Sequence, residues 1–275
     1  MTAEIEQCAL FTSFGNAYAA GLPLDGERLQ RSLRFVASMT FVMTPQLTGS
    51  APYVVAHDPV AWFDALARSG TRRFSLVHVP RAGSPRERPA LAAFVRGGGE
   101  WMIAAHEEKL TVSWLSRWSL AAEPVERPRI WSVEYAGCAA APSIRPLEPE
   151  LGAVRDALDR ALRDALALAN GKPDLRVWAG YFERARAALI SAAPESLLDE
   201  RSAPVLAEGM HVLMARQLVT AAQCAWVFGG MGSWNDYTAS DDAGRERYQA
   251  VTAALYAAVV DAIPAGVNTL ATTIA

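Results

Sequence analysis

The chain has 275 residues, 51% of them apolar and 20% charged, which is enough to bury a substantial core in one large domain or two modest ones. Its formal net charge is −3, and a phosphate backbone calls for clustered Lys and Arg, so nucleic acid is not the expected ligand. Arginine carries nearly all the positive charge, since Lys109 and Lys172 are the two lysines; with the many alanines this reads first as codon usage.

The opening MTAEIEQCALF has two glutamates and no basic segment, so it does not read as a secretory signal. Residues 4–20 carry Ile5, Leu10, Phe11, Phe14 and Tyr18 and predict a short helix broken by Gly21 and Pro23. Asp25 stands at an N-cap, and Leu29, Leu33, Val36 and Thr40 follow at helical spacing, predicting a second helix to about Met43. Thr44 to Pro52 is turn-rich. Asp58-Pro59 is a strong helix start, a capping carboxylate followed by a proline whose missing N–H costs nothing in the first turn. That helix carries Trp62, Phe63 and Leu66 and stops at Gly70.

Arg72 to Val79 predicts a strand closed by Pro80. Residues 81–90 form a loop rich in Pro, Arg, Gly and Ser, and Ala90 to Val95 a short helical turn. After Gly97-Gly98-Gly99, Trp101, Ile103 and Ala105 alternate along one strand. Glu107, Glu108 and Lys109 make the turn, and Leu110, Val112 and Trp114 alternate on the return, which is a hairpin. Ile130 to Ala136 adds a strand with Trp131, Val133 and Tyr135 on one side, and Gly137 to Pro149 reads as a junction.

Everything after the junction is helical. Leu151, Val154, Leu158, Leu162, Ala165 and Leu168 form a regular stripe ended by Asn170-Gly171. A second helix lies between Pro173 and Pro194 with Trp178, Phe182, Leu189 and Ile190. Ser202 caps a third, apolar nearly all round, and so expected at the centre. The fourth starts near Ser240 or Asp242 and ends where it meets Pro264 and Gly266. The expected class is therefore α+β: an N-terminal half, 1–145, with a small, mostly antiparallel sheet plus flanking helices, and a C-terminal half, 146–275, that is a bundle of about four helices. The halves are two domains or one continuous one. No stretch reaches the 18 to 20 apolar residues that span a bilayer, and Cys8, Cys138 and Cys224 suit reduced thiols, so a soluble cytoplasmic protein is expected.

The densest run of special residues is WVFGGMGSWNDY, Trp226 to Tyr237. It lacks the Lys-Ser/Thr pair of a phosphate-binding loop and the spacing and preceding strand of a dinucleotide site. Its aromatics either pack into the core between two helices or, as Trp234, Asn235, Asp236 and Tyr237, line a binding surface. Ser233 lies outside a nucleophile elbow, and His211, 22 residues upstream, has no local partner. His57, His78, His106 and His211 are too dispersed for a metal signature, so no metal and no cofactor is expected. Arg72, Arg73, Arg81, Arg86 and Arg88 make a basic cluster without interleaved aromatics, and a solvated loop is the simpler reading.

Two functional readings follow. The first is a non-catalytic protein-binding or accessory protein, for instance a bacterial immunity-type protein that occludes a partner, with homo-oligomers also in view. The second is a small-molecule hydrolase or transferase with an acid/base site at the junction, for which Asp236, His211 and Glu100 are the residues to test. A cleft converging on Asp236 and a histidine would favour the enzyme. An exposed aromatic patch without a cleft would favour the binder.

Overall fold

The computed structural model describes residues 1–45, 51–80, 99–122, 128–140, 150–200, 202–229 and 232–271. Thr2 accepts from the Ile5 N–H and starts α1, Ala3–Ala19, which begins and ends one residue earlier than predicted and is buried over most of its circumference. Asp25 caps α2, Gly26–Ser32, through the Arg28 N–H. This helix is much shorter than expected, because Val36–Thr44 is a strand, β1. Nothing between Leu29 and Met43 punctuates the helical spacing. The β-branched and aromatic Val36, Thr40, Phe41 and Val42 are nevertheless better served by a ladder with a partner some 95 residues away.

A four-residue strand that the sequence did not announce, β2 (Tyr53–Ala56), precedes α3, Pro59–Ser69. Asp58 caps α3 by accepting from Ala61 N at 2.9 Å, and Gly70 ends it with φ 101°, a left-handed turn that favours glycine. Then come β3 (Arg73–Val79), β4 (Glu100–His106), β5 (Thr111–Leu120) and β6 (Trp131–Ala140). The predicted hairpin is β4–β5, closed by Glu107 N donating to Leu110 O. The first residues of the predicted junction, Gly137 to Ala140, belong to β6. Residues 141–149, the arginines Arg81, Arg86 and Arg88, the turn at 90–95, Gly97-Gly98 and Gly230-Met231 lie outside the described residues.

The sheet is mixed, in the order β2-β1-β6-β5-β4-β3, with β1 and β6 parallel and the other four pairings antiparallel. Together with seven α-helices among the described residues, it makes the protein mixed α+β. One face buries Phe41, Phe74, Trp114 and Tyr135 against Phe11 of α1 and Trp62 and Phe63 of α3. Phe41 stacks on Trp62 with centroids 4.5 Å apart, and Trp62 meets Trp114 edge-on at 5.3 Å. Each such buried ring contributes roughly 2–3 kcal/mol of apolar burial.

The two edges of the sheet are treated differently. Along β3, Asn16 of α1 accepts from Phe74 N at 2.8 Å and donates to Phe74 O at 3.0 Å. Asn268 does the same for Leu76, at 2.7 and 2.9 Å. Two side-chain amides thus imitate a neighbouring strand and satisfy backbone groups that a sheet edge leaves over. Asn16→Ala is expected to cost about 2 kcal/mol, since the Phe74 groups would stay buried without partners. The check is the urea midpoint; an unchanged value would mean that the amide clamp adds nothing.

The helical region contains α4 (Leu151–Gly171), a 3-10 turn (Pro173–Trp178), α5 (Ala179–Ala188), α6 (Leu213–Cys224) and α7 (Asp242–Asn268). α4 packs on α5 and α7, and α6 on α5 and α7, while α7 also touches α1 and β3. The helix expected from Ser202 starts only at Leu213. Pro204 and Gly209, with φ 75°, disfavour an earlier start. Distant groups also claim that backbone: Ala207 N donates to Ser13 Oγ, and the Ala203 carbonyl accepts from Gln223 Nε2. α6 is buried nearly all round, as its composition predicts.

α7 continues through Pro264 instead of ending there. The extra turn carries Asn268 to its clamp and Gly266 to α6, where an added Cβ would lie 2.5 Å from Val219 Cγ2. These tertiary contacts outweigh the hydrogen bond that proline deletes. By length and composition α7 is also apolar enough to cross a bilayer, contrary to the expectation for this chain, and 56% of its most apolar stretch is buried inside the fold.

Candidate functional site

The described residues of the run from Trp226 to Tyr237 begin just past the end of α6 and pack on α5 and α7. Val227 and Phe228 are buried, and Phe228 meets Tyr256 edge-on at 5.0 Å. Ser233 opens a 3-10 turn, Trp234–Asp236, accepting from Asn235 N and donating to Gly229 O. Trp234 is fully buried against Phe182 of α5 and Tyr248 of α7, and its indole N–H donates to Thr252 Oγ1 at 2.8 Å. It therefore presents no surface to a partner, and acts as the plug that holds the turn down. Asp236 is exposed and accepts from Gly232 N, while Asn235 and Tyr237 are half-buried. Of the four predicted binding residues, three reach solvent.

The three residues proposed for acid/base work sit on different elements. Asp236 is in this turn, Glu100 is the first residue of β4, and His211 lies in a bridge to Leu270 beyond α7. None of them lines the three cavities described below. His211 is buried, and its Nδ1 lies 3.0 Å from the Thr269 carbonyl oxygen. A carbonyl only accepts, so Nδ1 carries the proton and Nε2 accepts from the Ser13 hydroxyl at 2.7 Å. Burial pushes the imidazole pKa down to about 4, which keeps the ring neutral.

Ser13, His211 and a carbonyl thus stand in the order of a hydrolytic dyad with its orienting group, a pairing the sequence did not suggest. Ser13 is fully buried and its oxygen also accepts the Ala207 N–H at 2.7 Å, so no substrate reaches it. The arrangement ties α1 to the segments before α6 and after α7. A second pair, His106 Nε2 with Ser75 Oγ at 2.8 Å, also has a fully buried serine, and burial followed by the Arg73 charge lowers the His106 pKa. Burial pushes the Cys8 thiol well up and that of Cys224 up to about 11, so neither is a poised nucleophile.

Concavity lies elsewhere. A cleft of about 340 Å³ opens between α1, α2 and the segment 202–205. Arg28, Arg31 and Arg34 follow one another at three-residue intervals along its wall, a spacing visible in the sequence and missed there. Arg28 pairs with Asp25 at 3.0 Å and donates to the Leu206 carbonyl; Arg31 donates to the Glu200 carbonyl at 2.8 Å. Arg34 lies over the Phe35 ring at 4.7 Å. Glu6 lines the same cleft with its carboxyl pKa raised, chiefly by burial. Beyond Ser202 a smaller cavity of about 170 Å³ holds Arg184, Asp199 and Cys224, and a third, about 340 Å³, lies between α4 and α5 around Asp159 and Arg186. Among the described residues no group of three or more His, Cys, Asp and Glu is placed to hold a metal ion.

No protein-family model, no curated protein and no solved structure matches this chain.

Proposed function

We propose that this chain is a non-catalytic protein-binding protein that takes up an extended segment of its partner along β2. The observation that carries the reading is the contrast between the two sheet edges. On β3 the backbone groups of Phe74 and Leu76 are occupied by Asn16 and Asn268, whereas β2 is an edge strand without a charged residue. Tyr53 and Val54 on β2 are 55% and 50% exposed. Proteins blunt such edges unless pairing is their use, and strand addition gives affinity through the main chain and specificity through side chains at alternate positions.

The reading keeps the chain as a sheet-bearing half, 1–145, and a helical half, 146–275, with Asn235, Asp236 and Tyr237 as a second contact that Trp234 anchors. An accessory or immunity-type role in a reducing cytoplasm, occluding the partner's strand, is the form it takes. The dispersal of Asp236, Glu100 and His211 over three elements supports the binder over the acid/base enzyme.

The test is co-purification of tagged protein from its native lysate beside the double variant Tyr53→Lys/Val54→Lys. Both positions are exposed, so the fold should stand, and an unchanged melting curve checks this. A stoichiometric partner is expected with the parent chain and a loss of at least tenfold with the variant. A partner retained by the variant, or none recovered with the parent, would count against β2 as the contact.

A further inference from the structure

We propose that the cleft between α1, α2 and residues 202–205 is a binding site for a small organic anion, a phosphate or carboxylate group carried on an apolar body. Its volume of about 340 Å³ falls within the range of small-molecule sites. Two of its three guanidinium groups are outside any close ion pair. Arg31 and Arg34 have no carboxylate within ion-pair distance among the described residues, and use a backbone carbonyl and the Phe35 ring instead. Arg28 is partly neutralised by Asp25.

The opposing acid is Glu6, and burial weakens its tendency to ionise even though Arg34 and Arg31 both favour the charged form. Three arginines line the cleft against Glu6, and Asp25 offsets one of them, so the cleft is net positive even with Glu6 ionised. A planar guanidinium offers paired N–H donors that match the two oxygens of a carboxylate or phosphate, so the anion belongs at the Arg31–Arg34 end. Leu10, Phe35, Pro204 and Val205 supply apolar wall for the rest of the molecule. The bonds from Arg28 and Arg31 to the Leu206 and Glu200 carbonyls hold the two walls at a set separation before any ligand enters. Such preorganisation reduces the cost of binding.

Titration calorimetry of the full chain with phenyl phosphate, benzoate and inorganic phosphate tests this and separates the two acid groups. Saturable binding of phenyl phosphate or benzoate is expected, tighter than that of inorganic phosphate, because the apolar wall is used. Arg31→Gln and Arg34→Gln are each expected to weaken it at least tenfold, and Glu6→Gln to tighten it. Arg163→Gln on α4 should leave it unchanged, as should Tyr53→Lys/Val54→Lys, which keeps this result separate from that for strand addition. Among the described residues the Arg34 side chain makes no bond to a backbone carbonyl, so its variant remains informative if Arg31→Gln loosens the cleft. No saturable binding of either aromatic acid, or equal affinity in both arginine variants, would overturn the assignment.

Discussion

Trp234→Ala is expected to destabilise the protein by about 3–5 kcal/mol, the range for removing a large buried aromatic side chain. The indole is fully buried between Phe182 and Tyr248, and its N–H donates to Thr252. The substitution would leave a cavity between α5 and α7 and a buried hydroxyl without its partner. For a chain of this size that corresponds to a fall in Tm of roughly 10 °C. Asp236→Ala, two residues on, removes an exposed acceptor for Gly232 N and should cost less than about 1 kcal/mol. Thermal melts of the two variants side by side decide the matter. A Trp234→Ala protein that melts within 2 °C (roughly 1 kcal/mol) of the parent would show that the plug is not structural. Loss of a partner in Trp234→Ala would say little about contact, whereas its loss in folded Asp236→Ala would place the 235–237 turn on the binding surface.

Stability is also expected to fall as the pH is lowered below 6.5, with His211 as the leading cause. Its folded pKa is held at about 4 by burial, against 6.5 for a free imidazole. Well above pH 6.5 the ring is neutral in both states and contributes no pH dependence. Below that, the unfolded chain takes up a proton that the folded chain refuses, so stability drops until the folded pKa is reached. The full effect is about 3 kcal/mol, of which roughly 1.4 kcal/mol is lost by pH 5.5. His106, lowered by burial and by Arg73, acts in the same direction. The measurement is the urea midpoint at pH 7.5, 6.5 and 5.5 for the parent and His211→Gln. The variant is expected to be less stable at pH 7.5, because the bonds to Ser13 and Thr269 change, yet flatter with pH. A variant profile parallel to the parent would remove His211 from the explanation.

Local physical chemistry alone determined much of this protein. Asp25 and Asp58 cap helices where their carboxylates meet free N–H groups, and Gly70 ends one with a positive φ. Alternation specified the β4–β5 hairpin and the inward Trp101 and Trp114, and the stripe from Leu151 to Leu168 specified α4. Such signals act over a few residues and can be read where they stand. The tertiary structure decided what depends on a distant partner. Val36–Thr44 became a strand because β6 lies beside it, and residues 203–211 stayed out of a helix because Ser13 and Gln223 claimed their backbone groups. α7 ran through Pro264 to bring Asn268 to β3. The same distinction governs the sites. A tryptophan in a glycine-rich run reads alike whether it plugs a core or faces a partner, and only the packing of α5 and α7 made Trp234 a plug. Ser13 meets His211 across 198 residues, and Arg28, Arg31 and Arg34 form a wall only because residues 202–205 fold opposite them. Spacing along a chain carries no information about such encounters, because they are set by the burial of the whole core.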